Sequence, residues 1–279
     1  MHTNVKFGSE SPADAERNLT VFKADALVQK ARYSLSVTEH RFLLYTISKI
    51  QPDHDASHVY EVNLGDFRKV CGTDADDSYS RIKTWIKHLA DQSWWMEQGR
   101  SESLVRWFSS VRLFPQSDRI EVKFHEDMFP YLFRLVEQMR ENGQMYTGYT
   151  FRYVLPMKST YSIRLYELIK SYQKNNVKWW FELDKLRRLL DCENYTRFPD
   201  FRRYVLEPAV REINRYTDIN LTYSLVKKGR KVTAVDFTMF EKSLTEITEA
   251  YRTGLTELDG EVHYWDIMRQ HSQNNGEES

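Results

Sequence analysis

The chain has 279 residues, and its lysines plus arginines equal its aspartates plus glutamates at 40 each, so the formal net charge is zero. This length favours two domains of ordinary size, and the neutral balance excludes nucleic-acid binding through overall charge alone. Any basic surface must therefore be local. Cys71 and Cys192 form no CxxC pair, so a disulfide framework or a structural zinc site is not predicted.

No apolar run approaches the roughly 18 residues of a membrane span, and the N-terminus lacks the order of a signal peptide. We therefore expect a soluble cytoplasmic protein with no membrane partner. Residues 1–21 are polar and show little periodicity, which predicts a loose leader.

The first half then predicts a fixed order of elements. Ser36 or Thr38 caps an amphipathic helix that stops before Pro52, and Gly72 closes a later short helix. The predicted elements are a helix over 37–50, a strand over 60–64, a short helix over 66–71, a longer helix from Tyr79 and antiparallel strands between 94 and 124.

Three acidic residues, Asp74, Asp76 and Asp77, precede the longer helix. Clustered carboxylates can hold a metal ion, but acids at this position more often satisfy the first amides of a helix and its dipole. We predict no metal site and no cofactor.

The second half repeats this order. A helix over 161–172, a strand over 178–183, a short helix over 184–192, a helical run over 197–217 and strands over 220–226 and 232–240 are predicted. Tyr45 and Tyr166 are 121 residues apart, as are Cys71 and Cys192, which supports duplication. The fold class is therefore α+β, with two tandem winged-helix domains related by internal duplication. We place them at 22–150 and 151–242, followed by an acidic tail at 243–279.

Charge is unevenly distributed along the second half. Eight basic and four acidic residues lie between Asp200 and Lys231, whereas three basic and nine acidic residues lie between Glu241 and Ser279. At 100° per residue, Arg203, Glu207, Arg211 and Asn214 share the face opposite the apolar stripe that contains Phe201. Arginine and asparagine can hydrogen-bond to base edges, although an ordinary solvated face with Arg–Glu pairs remains the alternative.

A basic turn follows this helix. Lys227, Lys228, Arg230 and Lys231 surround Gly229 between the last two predicted strands, with no acid among them. Such a tip suits phosphate oxygens, although charged hairpin tips also serve solubility. Helix and basic hairpin in this order predict a DNA-binding winged helix.

Pro208 lies within the predicted helix, where it removes a donor and disfavours α geometry at Glu207. We expect the helix to kink or to start afresh there, which would push its N-terminal half toward the groove. In the first domain, Ser80, Lys83, Thr84 and Lys87 occupy the corresponding face, and we expect weaker binding there. The predicted DNA-binding residues are Arg197, Arg202, Arg203, Arg211, Asn214, Arg215, Lys227, Lys228, Arg230, Lys231, Ser80, Lys83, Thr84 and Lys87.

Several separated segments resemble the iteron-type plasmid replication initiators between about Phe22 and Phe240. They are Tyr33–Ser36, Ile163–Glu167, Arg197–Arg203, Glu212–Asn214, Leu221–Tyr223 and Lys227–Arg230. The resemblance implies a pair of winged-helix domains, in which Arg197 and Arg203 match base-reading arginines and Lys227–Lys231 matches the wing. Tyr204, where a third arginine can follow, and Pro208 depart from the pattern, and the acidic tail lies outside it.

The same resemblance implies a function. Monomers of the family bind direct repeats at a plasmid origin and help to open it for the host initiator and helicase, and dimers bind an inverted repeat and repress the initiator's own gene. Chaperones of the host are further implied partners.

Other function classes remain as alternatives. The sequence has no His-x-His strand, nucleotide-binding loop or nucleophile elbow, so we predict no enzyme. Trp94, Trp95, Trp179 and Trp180 could stack on single-stranded bases, but core burial is favoured for residues in such strands. A two-domain winged-helix transcription regulator with no role at an origin is the main alternative.

Overall fold

The computed structural model describes residues 11–72, 79–98, 100–173 and 177–274. The first unit contains helices α1 (Pro12–Arg17), α2 (Asp25–Lys30), α3 (Val37–Ser48), α4 (Leu64–Cys71), α5 (Tyr79–Asp91), α6 (Phe129–Leu132) and α7 (Leu135–Asn142). Its strands are β1 (Thr20–Ala24), β2 (Tyr60–Asn63), β3 (Ser93–Gln98), β4 (Ser101–Arg106), β5 (Phe108–Phe114), β6 (Arg119–Phe124) and β7 (Tyr146–Thr150).

The second unit follows a 3₁₀ turn at Phe151–Tyr153. Its helices are α8 (Thr160–Tyr172), α9 (Leu183–Leu189), α10 (Phe198–Phe201) and α11 (Glu207–Tyr216), and its strands are β8 (Lys178–Glu182), β9 (Ile219–Lys228) and β10 (Lys231–Glu241). A long helix, α12 (Leu244–Asn274), ends the described chain.

Both units build the same three-stranded antiparallel sheet. The order is β2-β6-β5 in the first unit and β8-β10-β9 in the second. In each unit the strand that follows a long helix, β2 after α3 and β8 after α8, pairs with the last strand of the hairpin. In both units, the helices and these strands follow each other in the same order along the chain. This shared topology confirms the predicted duplication. The first unit adds a separate hairpin, β3–β4, between α5 and β5, which the sequence analysis had placed in one strand set with the rest.

Local signals explain the helix boundaries. Ser36 caps α3 through a capping box with Glu39, and Gly72 ends α4 in the left-handed conformation, with φ of +59°. Both signals were predicted from the sequence.

The prediction of a loose leader is wrong for residues 11–21. Pro12 opens α1, and Ser11 and Asp14 form a capping box at its N-terminus. Arg17 is buried and donates to the carbonyls of Val70 and Lys69, each at 2.8 Å. Thr20 then begins β1, which pairs antiparallel with β7.

Helix α8 lies in the core between the two units. Ile163, Leu165, Tyr166 and Ile169 are fully buried, and so the helix is covered on nearly all sides. Its charged side chains must find partners inside the protein. Arg164 donates to the carbonyl of Leu189 at 2.7 Å and, across the unit boundary, to that of Tyr33 at 2.9 Å.

Glu167 is the second buried charge of α8. It pairs with Lys23 of β1 and accepts from the hydroxyl of Tyr149 of β7. The Nε2 atom of His40 lies 3.9 Å from its other oxygen. Burial, with the Lys23 and Arg164 cations nearby, holds the pKa of His40 well below its ordinary value of 6.5. Charged contacts therefore join the two units in the core.

Within the described ranges, no helix combines the length and apolar character that a membrane span requires. The same residues contain no group of three or more His, Cys, Asp or Glu side chains that could hold a metal ion. The acidic cluster of Asp74, Asp76 and Asp77 lies outside the described residues, as do 1–10 of the predicted leader and 275–279 of the predicted tail.

Candidate nucleic-acid interface

The helix that contains Arg203 and directly follows Arg197 runs from Phe198 to Tyr216, and we call it the recognition helix. It comprises α10, a π-helical segment at Arg202–Leu206 and α11. Pro208 is at the second position of α11, directly after the wider π turn. Proline lacks the N–H that an α turn would use, and a π segment tolerates that loss.

Pro208 was expected to disfavour α geometry at Glu207 and either to kink the helix or to start it afresh. The helical path is irregular just before Pro208, where the π segment ends, and a new α-helix, α11, starts at Glu207. Glu207 has φ of −65° and ψ of −44°, which are helical angles. The chain therefore continues as a helix across Pro208, and the π segment changes the rotational position of Arg202 and Arg203 relative to α11.

The predicted faces of this helix agree with its burial. Phe201, Val205, Ala209 and Ile213 are fully buried, whereas Arg202, Arg203, Arg211 and Arg215 are exposed. The apolar side packs on α8 and β9, which leaves the arginines on the outer side.

The arginines differ in their contacts. Arg197 precedes α10 and lies 3.8 Å from Asp200. Arg202 donates to Glu207 at 2.7 Å, and its contacts with the Tyr223 hydroxyl and then with Glu207 raise its pKa. None of the ion pairs between described residues includes Arg203 or Arg211.

Asn214 has a different environment from the one that the sequence suggested. Its Nδ2 donates to the carbonyl of Leu221 at 2.9 Å, and its Oδ1 accepts from the Leu221 amide at 2.6 Å. The amide thus joins the recognition helix to β9. Arg215 donates to Glu257 of α12 at 2.7 Å. Both side chains are therefore engaged within the protein, which favours a role in positioning the recognition helix.

The basic hairpin tip, which we call the wing, comprises Lys227–Lys231. Strands β9 and β10 pair as far as Lys228 and Lys231, which lie directly opposite each other, so only two residues form the turn. Gly229 has φ of +62°, which a tight hairpin requires and which suits glycine.

The wing concentrates positive charge at a cost to the isolated protein. Lys227, Lys228, Arg230 and Lys231 are all exposed, and no carboxylate among the described residues pairs with them. Like charges directly opposite each other on two strands, as Lys228 and Lys231 are, destabilise the hairpin. A bound anion would remove this repulsion.

The corresponding surface of the first unit is less basic. Ser80, Lys83, Thr84 and Lys87 are exposed on α5, as predicted, but Lys87 pairs with Asp91 and the Thr84 hydroxyl donates to the Ser80 carbonyl at 2.9 Å. Its hairpin tip between β5 and β6 contains Asp118, which pairs with Arg68.

Two supporting residues were missed by the sequence analysis. Arg187 donates to the Thr196 carbonyl at 3.0 Å and lies over the Phe201 ring at 5.5 Å, so it positions the loop that leads into the recognition helix. Tyr223 supports Arg202 from β9. The repeated segment around Arg187 was a signal for the first of these. Tyr223 lies in the segment Leu221–Tyr223 that carries part of the resemblance, but its contact with Arg202 has no local signal.

Comparison with known proteins agrees with this architecture. Residues 20–170 match the model of the family "Initiator Replication protein, WH1", and residues 182–239 match that of "Initiator Rep protein, WH2". The chain belongs to the family of initiator replication proteins. The two matched ranges correspond to two winged-helix domains, which confirms the predicted fold class and the family resemblance.

Relatives of this initiator are distant in sequence. A replication initiation protein of Escherichia coli is 22% identical over 245 residues, which cover 83% of this chain and 73% of the relative. The PI protein of Escherichia coli is 26% identical over 176 residues, covering 56% of this chain and 55% of the relative.

A solved structure shares the fold. The crystal structure of the Pi initiator protein in complex with iteron DNA has a TM-score of 0.65 at 18% identity, and the match covers 82% of this chain and 99% of that one. The match establishes that the two chains have the same arrangement of elements.

Proposed function

We propose that this initiator binds direct repeats at a plasmid origin as a monomer and promotes opening of the origin and loading of the host helicase. The observation that supports it best is the recognition helix with Arg203 and Arg211 exposed, followed directly by an unpaired basic wing. The Pi initiator, whose fold is similar, was crystallised with iteron DNA.

In this proposal the two domains contribute unequally. Residues 151–242 form the principal DNA-binding domain, and the wing contacts the phosphates of the DNA backbone. Four arginines approach bases or nearby phosphates, namely Arg197, Arg202, Arg203 and Arg211. Residues 22–150 add weaker contacts from α5, because Lys87 is already paired and the first hairpin tip contains an acid.

Further steps follow from the family. A dimer, formed through the first domain, binds an inverted repeat and represses the initiator's own gene. The host initiator, helicase and chaperones are the proposed partners in the bacterial cytoplasm. The proposal requires no cofactor and no catalytic step by this chain.

A pair of substitutions tests the assignment. Arg203→Ala should weaken binding to the cognate repeat by about 1–3 kcal/mol, the value of a bidentate base contact, and leave random DNA nearly unchanged. Lys228→Ala should weaken both duplexes similarly and reduce the slope of log affinity against log salt by about 1. Fluorescence anisotropy titrations at several salt concentrations measure both effects.

Lys185→Ala provides the matched control, since Lys185 is exposed on α9, outside the recognition helix and the wing. It should change neither affinity. Equal losses on cognate and random DNA for Arg203→Ala would contradict base reading by this helix. Protection of a single palindrome, without direct repeats, would favour a transcription regulator.

A further inference from the structure

Helix α12 lies beyond the residues that match the family and packs against the rest of the protein. Tyr251, Gly254, Leu255 and Leu258 recur at helical spacing on its inner side, and Ala250 beside them is buried. A Cβ atom on Gly254 would lie 3.4 Å from the Pro156 ring, at the boundary between the two units. The predicted acidic tail is therefore, over 244–259, a docked helix.

One side of α12 is attached to the first unit. Asp259 accepts two hydrogen bonds from the guanidinium of Arg17, at 2.6 and 2.7 Å, and the Arg17 side chain is only 4% exposed. The Leu258 carbonyl approaches Gly72 so closely that a Cβ there would lie 2.4 Å from it. A buried bidentate pair and a close backbone approach fix this position.

The preceding turns of α12 are attached to the second unit. Glu257 accepts from Arg215, at the end of the recognition helix, at 2.7 Å, and from Lys158 at 3.2 Å. Near the start of α12, Glu246 accepts from Asn220 of β9 at 3.1 Å. Glu257 and Asp259, two residues apart on one helix, thus contact different units.

We propose that α12 is a strap that fixes the two winged-helix domains relative to each other, and thereby sets the spacing between the two DNA segments that one chain can contact. The effect on the spacing of DNA segments rests on the proposed function. The attachment has a physical consequence: when two linked modules are held in one geometry, the second contact forms at high effective concentration only if the DNA presents its sites at the matching distance.

The acidic residues of α12 could instead act only by repelling DNA. Neutralising any one exposed carboxylate of the helix would then change DNA binding to the same extent. Glu249 is exposed on α12 and forms no ion pair or side-chain hydrogen bond with another described residue, so Glu249→Gln is the matched control for Asp259→Asn.

The decisive measurement uses the full-length protein without DNA. Spin labels are attached at Ser110→Cys in the first unit and Lys185→Cys in the second, both exposed, while Cys71 and Cys192 are buried. Double electron–electron resonance measures the distance between the two labels. The distance distribution should be narrow for the parent and for Glu249→Gln, and at least about twofold broader for Asp259→Asn. Glu257→Gln, which releases the other attachment, should broaden it as well.

A thermal melt accompanies each variant to show that both units remain folded. If Asp259→Asn and Glu257→Gln both melt cooperatively and keep the narrow distribution of the parent, the strap is refuted. Broadening by Glu249→Gln to the same extent would also refute it.

A DNA measurement then tests the functional half. Inserting half a helical turn between the segments protected by the two domains should lower the affinity of the parent about 100-fold and that of Asp259→Asn about tenfold or less. Equal losses for both proteins would refute the role in spacing. If the parent fails to bind the unaltered repeat, the proposed function fails, while the distance measurement still decides whether α12 is a strap.

Discussion

Replacing Arg164 tests the charged contacts that join the two domains. Its guanidinium donates to the carbonyls of Leu189, Tyr33 and Ala31, with donor–acceptor distances between 2.7 and 3.2 Å, and lies 4.5 Å from the centre of the Tyr33 ring. Arg164→Ala leaves three buried carbonyls without this donor. At about 1–3 kcal/mol for each unsatisfied group, and with some relief from water entering the space, we expect a loss of about 3–5 kcal/mol in the free energy of unfolding.

Urea denaturation, followed by tryptophan fluorescence and far-ultraviolet circular dichroism, measures this loss. Because Tyr33 and Ala31 belong to the first unit and Leu189 to the second, the transitions seen by the two probes should also separate in Arg164→Ala. Arg164→Lys keeps the charge but cannot reach all three carbonyls, so an intermediate loss is expected.

Arg188→Ala is the control, since Arg188 is exposed on the adjacent helix and should change stability by no more than about 0.5 kcal/mol. A loss below about 1 kcal/mol in Arg164→Ala, with coincident transitions, would show that these contacts do not join the domains.

Three further predictions concern other positions. The pKa of His40 is depressed in the folded protein, so the unfolded chain binds the additional proton as pH falls below 6.5. The free energy of unfolding should therefore fall further between pH 7.5 and 5.5, by on the order of 1 kcal/mol, in the parent than in His40→Gln. Parallel pH profiles of the two proteins in urea titrations would contradict this. Asn214→Ala removes both hydrogen bonds to Leu221 and should cost about 1–3 kcal/mol of stability, with equal affinity losses on cognate and random duplexes; a loss confined to the cognate repeat would restore the base-reading role. Pro208→Ala restores a backbone donor and should change stability by less than about 1 kcal/mol while selectively weakening cognate binding, because the turn with Arg202 and Arg203 can rotate; unchanged binding in anisotropy titrations would show that the π segment does not orient these arginines.

Local signals were sufficient for much of the fold. Ser36 and Gly72 marked helix ends because caps depend on neighbouring residues, and helical spacing separated buried Phe201 from exposed Arg203. The shared order of elements in the two halves was sufficient to predict the duplication, because it does not depend on strand pairing.

Features that depend on distant partners could not be predicted in this way. The sequence does not indicate that Arg164 meets carbonyls more than 130 residues away, or that Arg17 in the supposed leader binds Asp259 in the supposed tail. Charge counting described 243–279 as acidic but could not show which side of a helix would dock. Pro208 indicated that the helix would be irregular nearby, but not that the irregularity would be a π segment at Arg202–Leu206.

Footprinting on the DNA that flanks the gene tests the central proposal most directly. The account predicts several protected segments in the same orientation, spaced by a regular interval, with protection lost at the same segments in Arg203→Ala and weakened everywhere in Lys228→Ala. Uniform protection without repeated segments, or an identical footprint with Arg203→Ala, would contradict it.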